Sequence, residues 1–351
     1  MKTITLSRLN RPFLLRRLLT ITCTILSVLI LFAACSDDDE PCPSQHPQVA
    51  VCLKSQTNSW RTALSYYATN QLESKGLSYT TYVAKDKAQQ ANQIRMAVES
   101  GCQILVVAPE GIAKDALDVA FSAGIPVIMF EDGVTDGYTA LVQGDNAAAG
   151  KNAAEYVASK GAGHAVAFKI TQDPASSDAR VDAFTEELKS KSPSTQVTTQ
   201  TLSLYTSADG KEAAARILAD DPSVDAFYAQ DDEVASGVIE AINESGRNDI
   251  KVVVGCGGSQ AFFSLILSTT VTDVATTLYS PSMITKCIDL ADDVLKGKTI
   301  EEKQIVMPAT VVNKDNVREY QDGGVSKLRH ISFFILKIVV PLFLSMRLFL
   351  Q

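Results

Sequence analysis

Histidine is scarce in this sequence, and its scarcity excludes several kinds of chemistry. The 351 residues contain only three histidines, and two of them, His46 and His330, lie in segments predicted to be a tether and a tail. A histidine-based metal centre or a Ser-His-Asp triad needs imidazoles that converge on one site. The sequence therefore disfavours most hydrolases, and it predicts no cofactor and no metal.

Cysteines are few and lack the C-x-x-C spacing of metal and redox motifs. Of the seven, Cys23 would leave with the predicted N-terminal signal and Cys35 would carry a lipid, so five remain available for pairing. An odd number argues against a complete disulfide framework, although one bridge could form.

Basic residues are outnumbered by acidic ones, and this excludes one class of partner. The formal net charge is −8, and residues 1–34 carry five basic residues and no acidic one, so their removal leaves −13. Nucleic acids require clustered Lys and Arg against their phosphates. We therefore predict that the protein does not bind nucleic acid.

The N-terminus has the pattern of an export signal. A basic segment is followed by 17 residues without charge, from Leu18 to Ala34. The stretch "LFAAC", ending at Cys35, resembles a bacterial lipobox, which implies a lipid on Cys35; the alternative is an uncleaved transmembrane anchor. The acidic "SDDDE" that follows resembles the surface-export tag of some Gram-negative lipoproteins, or is simply a solvated linker. Residues 35–47 are predicted to form a tether.

From residue 48 onwards, short β-branched runs alternate with helical patterns that end at glycine. This alternation is typical of βα units around a parallel sheet, and the cycle occurs twice. The predicted fold class is α/β, with two doubly wound parallel-sheet lobes joined by hinge crossings near 143–145, 255–258 and 278–281. We predict an N-terminal lobe over 48–145 plus 280–305 and a C-terminal lobe over 146–279 plus 306–317.

The last segment, 318–351, is basic and apolar. Its stretch from Ile331 to Leu350 has 20 residues, the length of a membrane span, but Lys337, Pro341 and Arg347 interrupt its apolar runs. Three interpretations remain open: a degenerate membrane anchor, an amphipathic helix on a membrane surface, or a non-native tail from a disrupted reading frame.

Polar and aromatic residues concentrate in the loops that follow the predicted strands. The loop "KSQTNSWR" holds Trp60, the only tryptophan of the chain. Two doubly wound sheets leave a cleft at the carboxyl ends of their strands, where α/β proteins bind ligands. Hydrogen-bonding groups next to flat aromatic rings suit a sugar or polyol. Each residue also has a structural alternative: Trp60 as interdomain packing, Arg180 paired with Asp182 or Glu186, and three helix caps, Asp145, Asp232 and Ser259.

Several longer segments resemble one family. They are "TNSWR", "AQQANQIRMAVESGCQILVVAP", "AGIPVIMFEDG", "VQGDNAAAGKNAAEYV", "ARVDAF" and "VDAFYAQDDEVASGVIEAINESGRNDIKVVVG". Together they resemble the ribose-type, type I periplasmic sugar-binding proteins over residues 48–315. The resemblance implies a monomer that captures a sugar or polyol without catalysis, in the envelope of a Gram-negative bacterium. It also implies a partner in the membrane, which is an ABC permease or, alternatively, a signalling protein.

The resemblance also implies a set of ligand contacts. By position, Trp60 and Tyr205 would sandwich the sugar ring. The residues that would hydrogen-bond its hydroxyls are Arg61, Asp132, Arg180 and Asp231. The full set is Asn58, Trp60, Arg61, Glu131, Asp132, Arg180, Tyr205, Asp231 and Tyr279.

Three departures from the family pattern put ribose itself in doubt. Gly257 stands where pentose binders carry an aspartate, Glu131-Asp132 replaces an Asp-Arg pair, and Arg61 replaces an aromatic residue. A hexose, an inositol-like polyol, an amino sugar or another small polar ligand fits as well.

An enzyme is the remaining alternative from the sequence. The stretch "GCGGSQ" superficially resembles a phosphate-binding loop, but it lacks the Lys-Ser/Thr pair of a P-loop. Cys256 has no histidine predicted nearby to activate it as a nucleophile. We therefore predict a binding protein and not an enzyme.

Overall fold

A computed structural model describes residues 46–111, 114–133 and 136–321 of the chain. Within them lie twelve strands: β1 Val49–Leu53, β2 Tyr79–Val83, β3 Ile104–Val107, β4 Val127–Phe130, β5 Ala140–Gly144, β6 His164–Ile170, β7 Gln196–Leu202, β8 Ala226–Tyr228, β9 Val252–Gly257, β10 Asp273–Leu278, β11 Gln304–Met307 and β12 Val311–Val312. Nine α-helices alternate with them: α1 Ser59–Lys75, α2 Lys87–Glu99, α3 Lys114–Ser122, α4 Asn146–Ser159, α5 Pro174–Lys191, α6 Ser207–Asp220, α7 Asp232–Ser245, α8 Gln260–Ser268 and α9 Ile284–Leu295. A short 3₁₀ turn, Pro281–Met283, precedes α9.

Local sequence accounts for where these elements begin and end. Most strands are apolar on both sides because helices cover both faces of a parallel sheet. In β1, Val49, Val51 and Leu53 join one hydrophobic cluster, while Ala50 and Cys52 join another on the opposite face. Helix α1 ends at Gly76, whose φ of 67° is a left-handed conformation that glycine adopts without steric cost.

The strands form two six-stranded sheets with the same order. The first is β2-β1-β3-β4-β5-β11 and the second is β7-β6-β8-β9-β10-β12. Every pairing is parallel except that of β12, which runs antiparallel to β10. The prediction of two doubly wound α/β lobes is confirmed.

The chain passes between the sheets at three places. It leaves the first sheet after β5, returns to that lobe after β10, and passes to the second sheet between β11 and β12. The crossing predicted near 255–258 is wrong: β9, α8 and β10 follow one another in the second lobe, so the third crossing lies at 308–310. A tight strand-to-helix turn, rather than a hinge, explains the glycines there.

Two predicted boundaries also shift. Val306 and Met307 belong to β11 in the first sheet, although the prediction placed them in the second lobe. Residues 318–321, assigned to the tail, still pack on the second lobe, where the Tyr320 ring lies 6.2 Å from that of Phe263. The predicted signal, the lipid on Cys35, most of the tether and the rest of the tail lie outside the described residues.

Three features concern the described residues only. The cysteines among them, Cys52, Cys102, Cys256 and Cys287, are buried and unbonded. No group of acidic, histidine and cysteine side chains there is arranged to hold a metal ion. Among the helices of this part, none combines the length and apolarity needed to cross a bilayer.

Candidate ligand-binding cleft

A cavity lies between the lobes at the carboxyl ends of the strands. The volume within it that the centre of a water molecule can occupy is about 60 Å³. One water needs about 10–15 Å³ on this measure, so the space suits one small molecule. Eight of the nine predicted contact residues line it: Asn58, Trp60, Arg61, Glu131, Arg180, Tyr205, Asp231 and Tyr279.

The ninth residue, Asp132, is exposed and does not line the cavity. Glu131 directly after β4 has a left-handed φ of 68°, and it is this residue that turns its carboxylate into the cleft. The sequence alone did not show which of the two adjacent acids would face inwards, because it did not reveal this left-handed turn after β4.

Trp60 lies at the start of α1, half-buried between the first-lobe core and the cavity. Its ring stacks on Phe130 with centroids 6.2 Å apart and planes 17° apart. The indole N–H donates to the carbonyl oxygen of Tyr279 at 2.6 Å, which fixes the ring to a crossing segment. One part of Trp60 is thus held by packing, while another part faces the cavity.

The charges on the first-lobe side of the cavity are neutralised by ion pairs. The Lys54 ammonium lies 2.8 Å from the Glu131 carboxylate, and both side chains are largely buried. Burial alone would lower the pKa of Lys54, but Glu131 outweighs it and the pKa is raised. Arg61 lies 3.3 Å from the carboxylate of Glu110 and donates to the hydroxyl of Ser55 at 3.1 Å.

Arg180 gives the second-lobe side a buried cation with neutral partners. Its Nε donates to Oδ1 of Asn146 at 2.8 Å, and Nη1 donates to the carbonyl oxygen of Gln230 at 3.0 Å. The guanidinium lies 4.5 Å from the centre of the Tyr279 ring, a cation–π distance. The alternative that Arg180 pairs with Asp182 or Glu186 is wrong, because its hydrogen bonds go to Asn146 and Gln230. Asp182 pairs with Lys169 instead.

Two further polar groups of the second lobe face the cavity. The hydroxyl of Tyr205 is buried and has no hydrogen-bond partner within the described part of the chain. Burial raises the pKa of this phenol, so the hydroxyl keeps its proton and can donate. Asp231 caps α7, and its Oδ1 accepts from the amides of Glu233 and Val234. Burial, reinforced by the carboxylate of Asp232, raises the pKa of Asp231 to about 7.

Gly257 is one of the three positions at which the sequence departs from the expected pattern. Its φ of 153° favours glycine, and a Cβ there would lie 2.9 Å from Oδ2 of Asp232. That oxygen accepts from the amides of Gly258 and Ser259 at 2.7 and 2.9 Å. Asp232 therefore occupies the space beneath residue 257. The predicted role of Asp232 as a helix cap is wrong, because Asp231 caps α7 instead.

The other two predicted caps are confirmed. Asp145 accepts from the amide of Ala148, and Ser259 accepts from that of Phe262. Burial raises the pKa of the Cys256 thiol, which keeps it protonated and unsuited to act as a nucleophile.

Besides Gly257, five residues that sequence reasoning missed also line the cavity. They are Lys54, Gln172, Asp173, Ser176 and Cys256. Four of them lie at the end of a strand or in the loop after it, and Ser176 lies in the first turn of α5, so the position was a usable signal. The sequence pattern did not predict that Lys54 pairs with Glu131, which lies 77 residues further along the chain.

One contact joins the two lobes at the edge of the cavity. The carboxylate of Glu233, in the first turn of α7, accepts hydrogen bonds from the amide and the hydroxyl of Ser59. The first turn of α1 contains no acidic residue of its own. Glu233 therefore supplies the negative charge that a helix N-terminus favours, and supplies it from the opposite lobe.

Comparisons with known proteins agree with this architecture. The ribose import binding protein of Bacillus subtilis (strain 168) is 26% identical over 223 residues, which cover 62% of this chain and 71% of that protein. The fructose-binding periplasmic domain of a hybrid two-component system is 25% identical, with a TM-score of 0.67 over 83% of this chain and 97% of that domain. The binding component of an arabinose ABC transporter from Shewanella sp. ANA-3, solved with arabinofuranose, shares the fold at 21% identity. Its TM-score is 0.69, covering 80% of this chain and 98% of that one.

A family-level match covers most of the described chain. Residues 49–299 match the periplasmic binding protein domain. The chain therefore belongs to the periplasmic binding protein family, whose members are substrate-binding proteins and not enzymes.

Proposed function

We propose that the cleft captures one sugar or sugar-like polyol ring for uptake through an ABC-type permease. The observation that carries this proposal is the composition of the cavity. The indole of Trp60 lies on one side, and hydrogen-bonding groups with unused capacity lie on the other. A sugar ring presents C–H faces for the indole and hydroxyls for the polar groups.

The second-lobe groups fit hydroxyls of both polarities. Arg180 and the Tyr205 hydroxyl donate, while Asp231 accepts through the oxygen that the α7 cap leaves over. Hydrogen bonds that involve charged groups are worth about 1.5–3 kcal/mol each. A few of them, with the stacking contact, are enough for micromolar binding, about −8 kcal/mol, after the costs of ordering and closure.

The names of the relatives support the transport role. They include a ribose import protein and the binding component of an arabinose transporter. One observation supports a second candidate, a ligand-sensing domain that reports to a membrane signalling protein: a domain of a hybrid two-component system is 25% identical to this chain. Both candidates use the same cleft and place the protein in the cell envelope.

The proposal includes attachment to a membrane through a lipid on Cys35 and action as a monomer. The support is the lipobox-like "LFAAC" before the acidic tether. Cells that express the protein and are fed a labelled fatty acid are expected to label the wild type and not Cys35→Ser. Equal labelling of the two would contradict lipidation at this cysteine.

The ligand is tested by thermal unfolding and calorimetric titration. The purified protein is screened against pentoses, hexoses, inositols and amino sugars, with Met96→Ala as a control on an exposed side chain remote from the cavity. One class is expected to bind with 1:1 stoichiometry and to raise the melting temperature of the wild type and the control alike. Silence across the whole panel, with the protein folded, would overturn the sugar proposal.

A further inference from the structure

A second cavity adjoins the ligand cavity and shares part of its wall. Both are lined by Asn58, Trp60, Asp231, Cys256 and Gly257. On the same measure, the second cavity has a volume of about 240 Å³. We call it the annex. The two cavities therefore adjoin at these five residues, and a substituent on a ligand in the first cavity would enter the annex past them.

The annex is lined mainly by apolar and aromatic surface. Trp60, Ala63, Tyr66 and Tyr67 contribute from α1, and Pro281 contributes from the crossing segment. The rings of Tyr66 and Tyr67 meet edge to face with centroids 5.4 Å apart. Tyr66 is 64% exposed, which is unusual for a large aromatic side chain next to a cleft.

Most polar groups at the annex already have partners within the protein. Ser59 and Glu233 bond to each other across the lobes. Oδ1 of Asn58 caps α1, and the hydroxyl of Ser259 caps α8. The carboxylate of Asp232 is held by two backbone amides and by the hydroxyl of Thr276 at 2.6 Å. A second sugar ring would need several free hydrogen-bond donors and acceptors. The annex has few of them, so it suits an apolar group better than a second sugar.

From this geometry we infer that the annex is a subsite for an apolar substituent on the captured ring. The substituent is a small aryl or alkyl group joined to a sugar hydroxyl, so the natural ligand is a glycoside-like molecule rather than a free sugar. The inference rests on the proposed function, because the ring itself occupies the first cavity. The annex then contributes affinity by removing apolar surface of the substituent from water.

The test compares methyl and phenyl glycosides that share one sugar. The probes are the free sugars D-glucose, D-galactose, D-xylose and D-ribose, the methyl and phenyl β-glycosides of each, and a disaccharide of each hexose. Affinities are measured by calorimetry on the full chain. For at least one sugar, the phenyl glycoside is expected to bind about tenfold more tightly than the methyl glycoside.

Two variants locate the effect. Tyr66→Ala removes an exposed ring that lies outside the first cavity, and Ala63→Leu narrows the annex. Both are expected to reduce the preference for phenyl over methyl to less than about threefold. Binding of the free sugar is expected to stay unchanged, which also shows that the variants are folded.

Other outcomes overturn the inference in separate ways. Free sugars that bind while both glycosides fail would show that the ring has no exit towards the annex. A disaccharide that binds better than the phenyl glycoside would assign the annex to a second sugar. If no probe binds at all, the annex inference fails, and the wider panel of pentoses, hexoses, inositols and amino sugars decides the proposed function separately.

Discussion

The first-lobe and second-lobe sides of the ligand cavity differ in how their charged side chains are paired. On the first-lobe side, Lys54 is paired with Glu131, and Arg61 is paired with Glu110. On the second-lobe side, the Arg180 cation has an amide, a carbonyl and an aromatic ring as partners. The Tyr205 hydroxyl on that side is buried without a partner in the described residues.

This difference indicates that the two lobes contribute differently to ligand binding. An ion pair satisfies its own charges, so the first-lobe side presents a balanced surface next to the Trp60 ring. The second-lobe side holds hydrogen-bonding capacity that the protein itself does not use, and a buried polar group without a partner is costly. A ligand that satisfies these groups gains most of its selectivity from the second lobe.

The largest expected effect on stability comes from breaking the first-lobe pair. Lys54→Met leaves the Glu131 carboxylate buried without compensation, so we expect the free energy of unfolding to fall by about 3 kcal/mol in urea denaturation. The double variant Lys54→Met/Glu131→Gln is expected to recover at least half of the loss. A double variant no more stable than the single one would show that the ion pair is not the cause.

Arg180→Met is the matched test on the second lobe, with the largest expected effect on binding. The variant removes the desolvation cost of a buried cation without a carboxylate partner, which offsets the loss of its hydrogen bonds to Asn146 and Gln230, so the unfolding free energy is expected to change by less than about 1 kcal/mol. Ligand affinity, measured by calorimetry, is expected to fall roughly 100-fold, because charged hydrogen bonds to the ligand are lost. Unchanged affinity, or destabilisation as large as that of Lys54→Met, would remove the contrast between the lobes.

The pKa of Asp231 predicts a pH dependence of stability. In the folded protein its pKa is raised from 3.8 to about 7, so between these values the folded state binds more protons than the unfolded state. Stability of the wild type relative to Asp231→Asn should therefore be greatest near pH 4, fall as the pH rises to 7, and level off above it. Between pH 5 and pH 6.5 we expect this relative stability to fall by about 2 kcal/mol, measured by urea unfolding at each pH. Parallel profiles of the two proteins would show that Asp231 ionises normally.

Tyr205→Phe is expected to have the smallest effect. Loss of one neutral hydrogen bond should weaken ligand binding about tenfold. The free energy of unfolding should stay the same or rise by up to about 1 kcal/mol, because the variant removes a buried hydroxyl without a partner. Tyr79→Phe, whose exposed hydroxyl lies outside both cavities, is the control. Lower stability of Tyr205→Phe without ligand would mean that the hydroxyl has a structural partner after all.

Local patterns in the sequence predicted the fold well because the same βα signal occurs in both lobes. Helix ends at Gly76 and Gly246 and the strands between them follow from residue periodicity and turn chemistry. The crossing near 255–258 was wrong because glycines at a tight turn and glycines at a hinge look the same in sequence. Only the pairing of β9 with β10 distinguishes the two.

The site was predictable in position but not in pairing. Loops after strands converge at one edge of a parallel sheet, which is why eight of the nine residues line the cavity. Which of Asp231 and Asp232 caps α7, and which of Glu131 and Asp132 faces inwards, depends on side-chain direction and on partners distant in sequence. Trp60 combines two predicted roles, since it packs on Phe130 and also borders the cavity.

The emission of Trp60 tests the central claim most directly. Because it is the only tryptophan in the chain, its fluorescence reports on the surroundings of this one ring, the cavity wall among them, during a titration with the sugar that raises the melting temperature. The account predicts a saturable change in emission with 1:1 stoichiometry that is lost in Arg180→Met. A ligand that raises the melting temperature of the wild type but leaves the emission of Trp60 unchanged would contradict capture of the ring between this tryptophan and the second lobe.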